Sequence, residues 1–450
     1  MCIAFVLQLK FIIIMMKKKC FWLFCLFVFG NLLCFAEKKN IEFTDTLYYK
    51  GELDFSVAQK LILTLRIMED DDSLAICFGS PLQTDDLIKA SKAKIIGDSV
   101  KFNIKDIGVK FRGRFVNGKN EVEGDFSQGF LKKKLMFYRT DKLFTMQRVQ
   151  TPKSPYSYNV KELTFENPQT NYVFHGTLTY PKDTLENDFA KMNVPVVVMV
   201  SGSGTQNRDE EIYRHKPFAV IADYLAKNGI ACFRYDDRGY GSSDTNLYRG
   251  TTEDFMKDAR CAINMLQNNF MSEKIKVFVL GHSEGGLIAE MLAAKYDDIE
   301  GIILMAAPAV SGKNILKTQT EALLNLNGIA KDSILLAIKE IDIAKFDTNT
   351  LNGYWLKYFY NSNPKDYLEK INCRVLVLQG EKDMQVLKEP NIKEMQKYLG
   401  KKAIYKIYPN LNHLFQQCST GSPLEYSEIE QTICPKVLED ITNFIKENDF

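Results

Sequence analysis

The sequence predicts an α/β protein: a doubly wound sheet with a helical cap insertion, preceded by a small all-β domain. Three observations carry this expectation. Residues 44–140 alternate apolar and polar positions in short runs separated by turn signals. From about residue 160, apolar runs that read as buried parallel strands alternate with segments of helical period. Residues 311–370 then break that rhythm with Leu-rich and Tyr-rich helical sequence, as an insertion over the C-terminal edge of a sheet would.

Taken in chain order, residues 1–36 read as a secretory signal peptide. Lys17, Lys18 and Lys19 form a positive region, Cys20 to Phe29 an apolar stretch, and Cys34-Phe35-Ala36 a cleavage site ahead of Glu37-Lys38-Lys39. The alternative is an uncleaved anchor, but Cys20 to Ala36 is short for a span and is broken by Gly30 and Asn31. Leu33 is bulky for a lipid-modified Cys34, and the apolar run Met1 to Ile14 suggests that translation starts at Met15 or Met16.

Residues 37–148 are expected to form an all-β barrel or sandwich. Its strands are exemplified by Leu61–Ile67, Val100–Ile104 and Val109–Phe115, with a hairpin turn at Asn117-Gly118. Residues 149–159, with Pro152, Ser154, Pro155 and Ser157, read as a stiff linker. Residues 160–450 form the α/β domain, with the cap at about 311–370. Its expected strands are Val194–Val200, Ile230–Tyr235, Ile275–Leu280, Ile299–Met305, Arg374–Gln379 and Ala403–Tyr408. Helices are expected at Phe218–Lys227, Glu253–Asn268, Glu284–Lys295 and Ile392–Leu399.

Composition excludes several classes. With 46% hydrophobic and 25% charged residues, the chain is neither disordered, collagen-like nor a coiled coil. Its formal charge of +2 gives no ground for nucleic acid or an anionic membrane as partner, and Lys10, Lys17, Lys18 and Lys19 supply that excess. Six cysteines follow the expected cleavage site: Cys77, Cys232, Cys261, Cys373, Cys418 and Cys434. None is in a C-x-x-C pair and no Cys/His cluster has zinc spacing, so no metal is expected. Cys232 and Cys373 read as buried apolar residues, while Cys418 and Cys434 flank a polar loop, and whether they form a disulfide stays open.

The chemistry concentrates in three places. The strand-like Lys276–Leu280 runs into Gly281-His282-Ser283-Glu284-Gly285-Gly286 and then a helix. G-x-S-x-G alone is weak, but strand before and helix after make it a nucleophile elbow with Ser283 at its tip. A neutral serine needs a base, and the base an orienting carboxylate; on this architecture they follow in the order Ser, acid, His. Only His413 follows Ser283, in a loop after the last expected strand. Between them, Val375–Gln379 ends in Gly380-Glu381-Lys382-Asp383, making Asp383 the candidate acid and Glu381 the weaker one. Strand Val196–Val200 ends in Ser201-Gly202-Ser203-Gly204, a small turn suited to donate an oxyanion N–H from Ser203 beside that of Glu284. The same turn lacks the third glycine of a dinucleotide loop and there is no P-loop, so no cofactor is expected.

These motifs, with Gly202-Ser203-Gly204-Thr205-Gln206-Asn207-Arg208-Asp209, Tyr235-Asp236-Asp237-Arg238-Gly239 and Asn412-His413-Leu414-Phe415-Gln416, resemble the α/β-hydrolase superfamily from about residue 160 onward. The chain is similar to secreted bacterial serine esterases with an N-terminal β-rich domain. One departure is Ser201, where many such proteins carry His. The resemblance implies a periplasmic or extracellular serine hydrolase of small-molecule carboxylic esters, working by a Ser283–His413–Asp383 triad and an acyl-enzyme, without nucleic acid as partner and without stable membrane insertion once the signal is cleaved. Two alternatives stay open. One is a serine peptidase of aminopeptidase or dipeptidyl type, for which Glu210-Glu211 is the one candidate anchor for an α-amino group. The other is a non-enzymatic binding protein on the same scaffold.

The remaining residues have plainer readings. His282 is expected to fill space beside Ser283, and His175 and His215 to pack or face solvent, with a place at the border of the site as the alternative for His215. Asp236, Asp237 and Arg238 read as a structural ion-pair loop. Tyr354, Trp355, Tyr358, Phe359 and Tyr360 read as cap core, with an acyl-binding wall as the alternative. The β domain is open to three roles: shielding, assembly or polysaccharide binding.

Overall fold

The computed structural model describes residues 46–56, 59–70, 73–82, 86–129, 131–184, 194–242, 249–270, 276–342, 346–350 and 352–447. The expected signal peptide and its cleavage position lie outside the described residues, as does Ile275. Two compact units divide the chain between Gln147 and Arg148. Among the described residues no helix is long and apolar enough to cross a membrane.

The first unit is one antiparallel sheet of nine strands. They are β1 (Leu47–Ser56), β2 (Gln59–Asp70), β3 (Ser73–Gly79), β4 (Ile88–Lys89), β5 (Lys92–Ile96), β6 (Ser99–Ile104), β7 (Val109–Val116), β8 (Glu121–Gln128) and β9 (Leu131–Thr140), paired in the order β4-β3-β2-β1-β9-β8-β7-β6-β5. The period-two alternation puts Val100, Phe102 and Ile104 of β6 and Val109, Phe111 and Phe115 of β7 on one buried face, with the Phe102 and Phe111 rings stacked 5.2 Å apart. The sheet curls into a half-barrel around that face. Asn117 and Gly118 do turn between β7 and β8, both at positive φ.

The second unit holds the mixed sheet. Two antiparallel strands, β10 (Asn159–Asn167) and β11 (Tyr172–Tyr180), lead into β12 (Val196–Val200), β13 (Ala231–Tyr235), β14 (Val277–His282), β15 (Gly301–Met305), β16 (Arg374–Gly380) and β17 (Ala403–Tyr408). The order is β10-β11-β13-β12-β14-β15-β16-β17, and from β13 to β17 all pairings are parallel. Between them run α1 (Pro217–Lys227), α2 (Thr252–Phe270), α3 (Glu284–Lys295), the cap helices α4 (Gly312–Leu326), α5 (Lys331–Asp342), α6 (Gly353–Asn361) and α7 (Lys365–Leu368), then α8 (Lys388–Leu399) and α9 (Pro435–Lys446).

Both faces of this sheet are covered, which is why its central strands are apolar throughout. Val196, Val198 and Val200 point to the core shared with α2, α3, α4, α6 and α8, whereas Val197 and Met199 point to the core shared with α1 and α9. The chain steps from β12 to β13 on one side and returns to β14 on the other. That reversal opens a crevice at the C-terminal ends of β12 and β14, where ligands bind in open α/β sheets.

Within the stretch read as a linker, Gln150 donates to the carbonyl of Ile433, and just before it Arg148 donates to those of Tyr213, Ser427 and Ile429. Cys418 and Cys434 both carry free thiols, so the disulfide left open by the sequence is absent from this structure.

Candidate active site

Ser283 sits between β14 and α3 with φ 55° and ψ −119°, in the left-handed region that a side chain rarely adopts. Its amide donates to the Met305 carbonyl at 2.8 Å and so keys the turn to β15. The turn closes so tightly that its flanking positions admit no side chain: a Cβ at Gly281 would lie 2.0 Å from the Gly285 carbonyl oxygen, and one at Gly285 2.1 Å from that of Val200.

Asp383 stands on the loop after β16 with its carboxylate fully enclosed. Oδ1 accepts the amides of Gln385 and Val386 at 2.7 and 2.9 Å, and Oδ2 accepts Gln379 Nε2 at 3.2 Å. Its remaining partner is His413 Nδ1, 2.8 Å from Oδ2. A carboxylate so fixed favours the imidazole proton on Nδ1 and leaves Nε2 able to accept one. Glu381, the weaker candidate, instead turns outward to Lys388 at 2.5 Å.

The His413 loop is built around its neighbour Asn412. Asn412 Oδ1 caps the amides of Leu414 and Gln416, each at 3.0 Å, and its Nδ2 donates to Gln416 Oε1. Burial, foremost, and the adjacent His282 hold the His413 ring below the ordinary imidazole range despite Asp383. Among the described residues Ser283 Oγ makes no hydrogen bond to His413; in unliganded hydrolases such contacts are commonly long and tighten with substrate.

Ser283, Ser203 and Glu284 line one open cleft of ≈350 Å³, together with Pro308, Gln385, Val386 and the cap residues Ile315, Gln319 and Phe359. The three residues thus border one space. The Glu284 carboxyl points away into the protein, where its Oε1 accepts Thr252 Oγ1 at 2.7 Å and Trp355 Nε1 at 2.8 Å, and burial raises its pKa. Of the cap aromatics, Trp355 and Phe359 are buried and Tyr354 is exposed.

The acidic loop beside the cleft is internally paired. Asp236 receives a forked contact from Arg208, Asp237 accepts Ser201 Oγ and the Gln206 amide, and Arg238 reaches Asp258. Burial pushes Asp237 up to about 8 and Asp258 to about 6. His215 is enclosed between Thr432 and the Tyr426 carbonyl, and His175 is exposed on β11. Among the described residues no group of three or more His, Cys, Asp or Glu is placed to hold a metal ion.

One carboxylate at the site has no sequence expectation matching its place. Glu210 is buried, with Oε1 2.7 Å from the Gly202 amide and 2.9 Å from His282 Nδ1. Its partners lie 8 and 72 residues away, and no local motif signals that contact.

The chain is similar to several known proteins. Residues 214–345 match the Hydrolase_4 family model, described as serine aminopeptidase, S33. Esterase EstD of Thermotoga maritima is 26% identical over 301 residues, which cover 65% of this chain and 68% of that protein. Among solved structures, Est1E from Butyrivibrio proteoclasticus is 17% identical with a TM-score of 0.42, covering 63% of this chain and 97% of its own. The Pyrococcus furiosus esterase Pf2001 is 16% identical with a TM-score of 0.37, covering 56% and 82%. The strand order and the strand–turn–helix at Ser283 are those of the α/β-hydrolase fold, and the family match falls within that unit.

Proposed function

We propose that this α/β-hydrolase is an exported serine esterase that cleaves small-molecule carboxylic esters through an acyl-enzyme. The observation that carries the reading is the buried Asp383–His413 pair at 2.8 Å, on the same sheet edge as the Ser283 turn. In the proposed reaction Ser283 Oγ attacks the ester carbonyl carbon while His413 Nε2 takes its proton. The amides of Ser203 and Glu284 hold the oxyanion that forms. Collapse breaks the carbon–oxygen bond to the alcohol, which leaves with the proton from His413. Water then repeats the sequence on the acyl-enzyme, releasing the acid and restoring Ser283. Asp383 keeps the ring in its working tautomer and stabilises the imidazolium between the steps. Neither metal nor organic cofactor enters these steps.

The rival is a serine peptidase with the same three residues, and the description of the matching family model favours it. Against it, the Glu210 carboxylate is engaged inside the protein, and Glu211 faces Lys216 at 3.4 Å on the outside. Neither is free at the cleft to anchor an α-amino group. Purified protein is expected to turn over p-nitrophenyl esters of graded chain length, with fluorophosphonate abolishing the activity. Faster cleavage of aminoacyl or dipeptidyl anilides would move the chain to the peptidases, and an inert protein that leaves fluorophosphonate unreacted would make it a binding protein.

Export is supported by the run from Lys17 to Ala36. Protein recovered from the periplasm or medium of expressing cells should begin at Glu37 by N-terminal sequencing. Full-length chain held in the membrane would overturn this.

A further inference from the structure

We propose that Glu210 and His282 form an internal strut that positions the oxyanion loop and the His413 loop against each other. The proposal rests on the reading of Ser283, His413 and Asp383 given above, and adds two positioning residues to it.

The strut is three hydrogen bonds long. Glu210 Oε1 accepts the Gly202 amide at 2.7 Å, one residue before Ser203. The same oxygen faces His282 Nδ1 at 2.9 Å, and His282 Nε2 faces the backbone carbonyl of His413 at 2.9 Å. His282 also immediately precedes Ser283. A single carboxylate and a single imidazole therefore tie together the three segments that carry the oxyanion amide, the nucleophile and the base. Both side chains are buried, so these bonds form without competition from water. Glu210 itself is held at φ 52°, a conformation that non-glycine residues adopt at a cost and that concentrates at functional sites.

The partners dictate the charge on His282. A carboxylate oxygen and a carbonyl oxygen both accept, so both ring nitrogens must donate and the ring is an imidazolium. Burial alone would lower its pKa, but Glu210, the His413 carbonyl and, more weakly, Asp383 outweigh this and hold it above the ordinary value. The His282 and His413 rings have centroids 4.7 Å apart. A cation there discourages protonation of His413 and helps keep it a free base. The charged or titratable groups facing this pair are Glu210 and Asp383, and beyond Glu210 lies Asp237, whose pKa the Glu210 charge helps to raise.

His282→Gln in the full chain tests the strut. The cation is removed and Glu210 is left uncompensated, and both changes raise the pKa of His413. The acid limb of the kcat/KM profile for a p-nitrophenyl ester should move up by about one pH unit. Glu210→Gln should lower kcat by about 10²-fold with KM nearly unchanged, because it loosens groups that act in the transition state. In wild-type protein labelled with 15N-histidine, one of the four histidines should keep the imidazolium pattern at a pH just above the ordinary imidazole value of 6.5. An acid limb that stays in place, with only its plateau lowered, would reduce His282 to a packing residue. Four neutral rings at that pH would overturn the strut even if neither variant folds. Turnover surviving in Ser283→Ala would sink the underlying reading instead, whatever His282→Gln does.

Discussion

Ser283→Ala is expected to lower kcat/KM for an ester by roughly 10⁴- to 10⁶-fold while leaving the fold intact. Ser283 is constrained by its backbone, through the Met305 carbonyl and the glycines around it, so loss of the hydroxyl disturbs no packing. What remains should be catalysis by the oxyanion amides and substrate binding alone. Asp383→Asn is expected to cost about 10⁴-fold by a different route. The two amides at Oδ1 would fix the asparagine carbonyl there and turn its NH₂ toward His413 Nδ1, so that the ring would carry its proton on the wrong nitrogen. The pH dependence has a definite sign. His413 must be neutral to act, and its pKa lies below the ordinary value of 6.5, so activity should persist below pH 6.5 and fall only as pH drops through the lowered value. Initial rates across pH for wild type and both variants decide the matter. Unchanged turnover in Ser283→Ala would remove the nucleophile from the scheme, and an Asp383→Asn variant as active as wild type would remove the acid.

The parallel part of the second sheet was legible chiefly because burial on both faces makes each central strand an apolar run. Ala403–Tyr408 and helix Glu284–Lys295 have the expected bounds, and Arg374–Gly380 runs one residue further. Strands β10 and β11 escaped the same reading for a physical reason. They are at the edge of the sheet with one face wet, as Val160 and Val173 show at 43% and 48% exposure, so they alternate like the strands of the first domain. Helix Pro435–Lys446 is another omission, though Val437, Leu438, Ile441, Phe444 and Ile445 recur at helical spacing behind an N-terminal proline. At the site, Ser283, Asp383 and His413 could be singled out because each follows a strand in a known order. Glu210 could not, since nothing within its own segment indicates a contact with His282.

Glu290→Met is expected to stabilise the protein, by about 1–3 kcal/mol at neutral pH. Glu290 lies in α3, a helix enclosed on all sides from Glu284 to Ala293, and has no exposed surface. Both its carboxyl oxygens lack a hydrogen-bond partner among the described residues. Burial alone drives its pKa well above the ordinary value of 4.5, so the folded protein keeps this acid protonated. Methionine matches its length without the polar atoms and removes the desolvation penalty. Glutamine keeps the cost of burying polar atoms but not that of holding a proton, so its gain should be smaller than that of methionine and vanish below about pH 4.5. The wild-type penalty also depends on pH. Below about 4.5 the acid is protonated in both folded and unfolded chains and adds no slope. Above it, the unfolded chain releases the proton and the folded one does not, so wild-type stability falls as pH rises. The advantage of Glu290→Met should therefore widen between about pH 5 and pH 8 in parallel thermal melts. A variant less stable than wild type at both values would show that the Glu290 carboxyl contributes a favourable contact. A constant difference between the two would mean that its protonation does not change on unfolding.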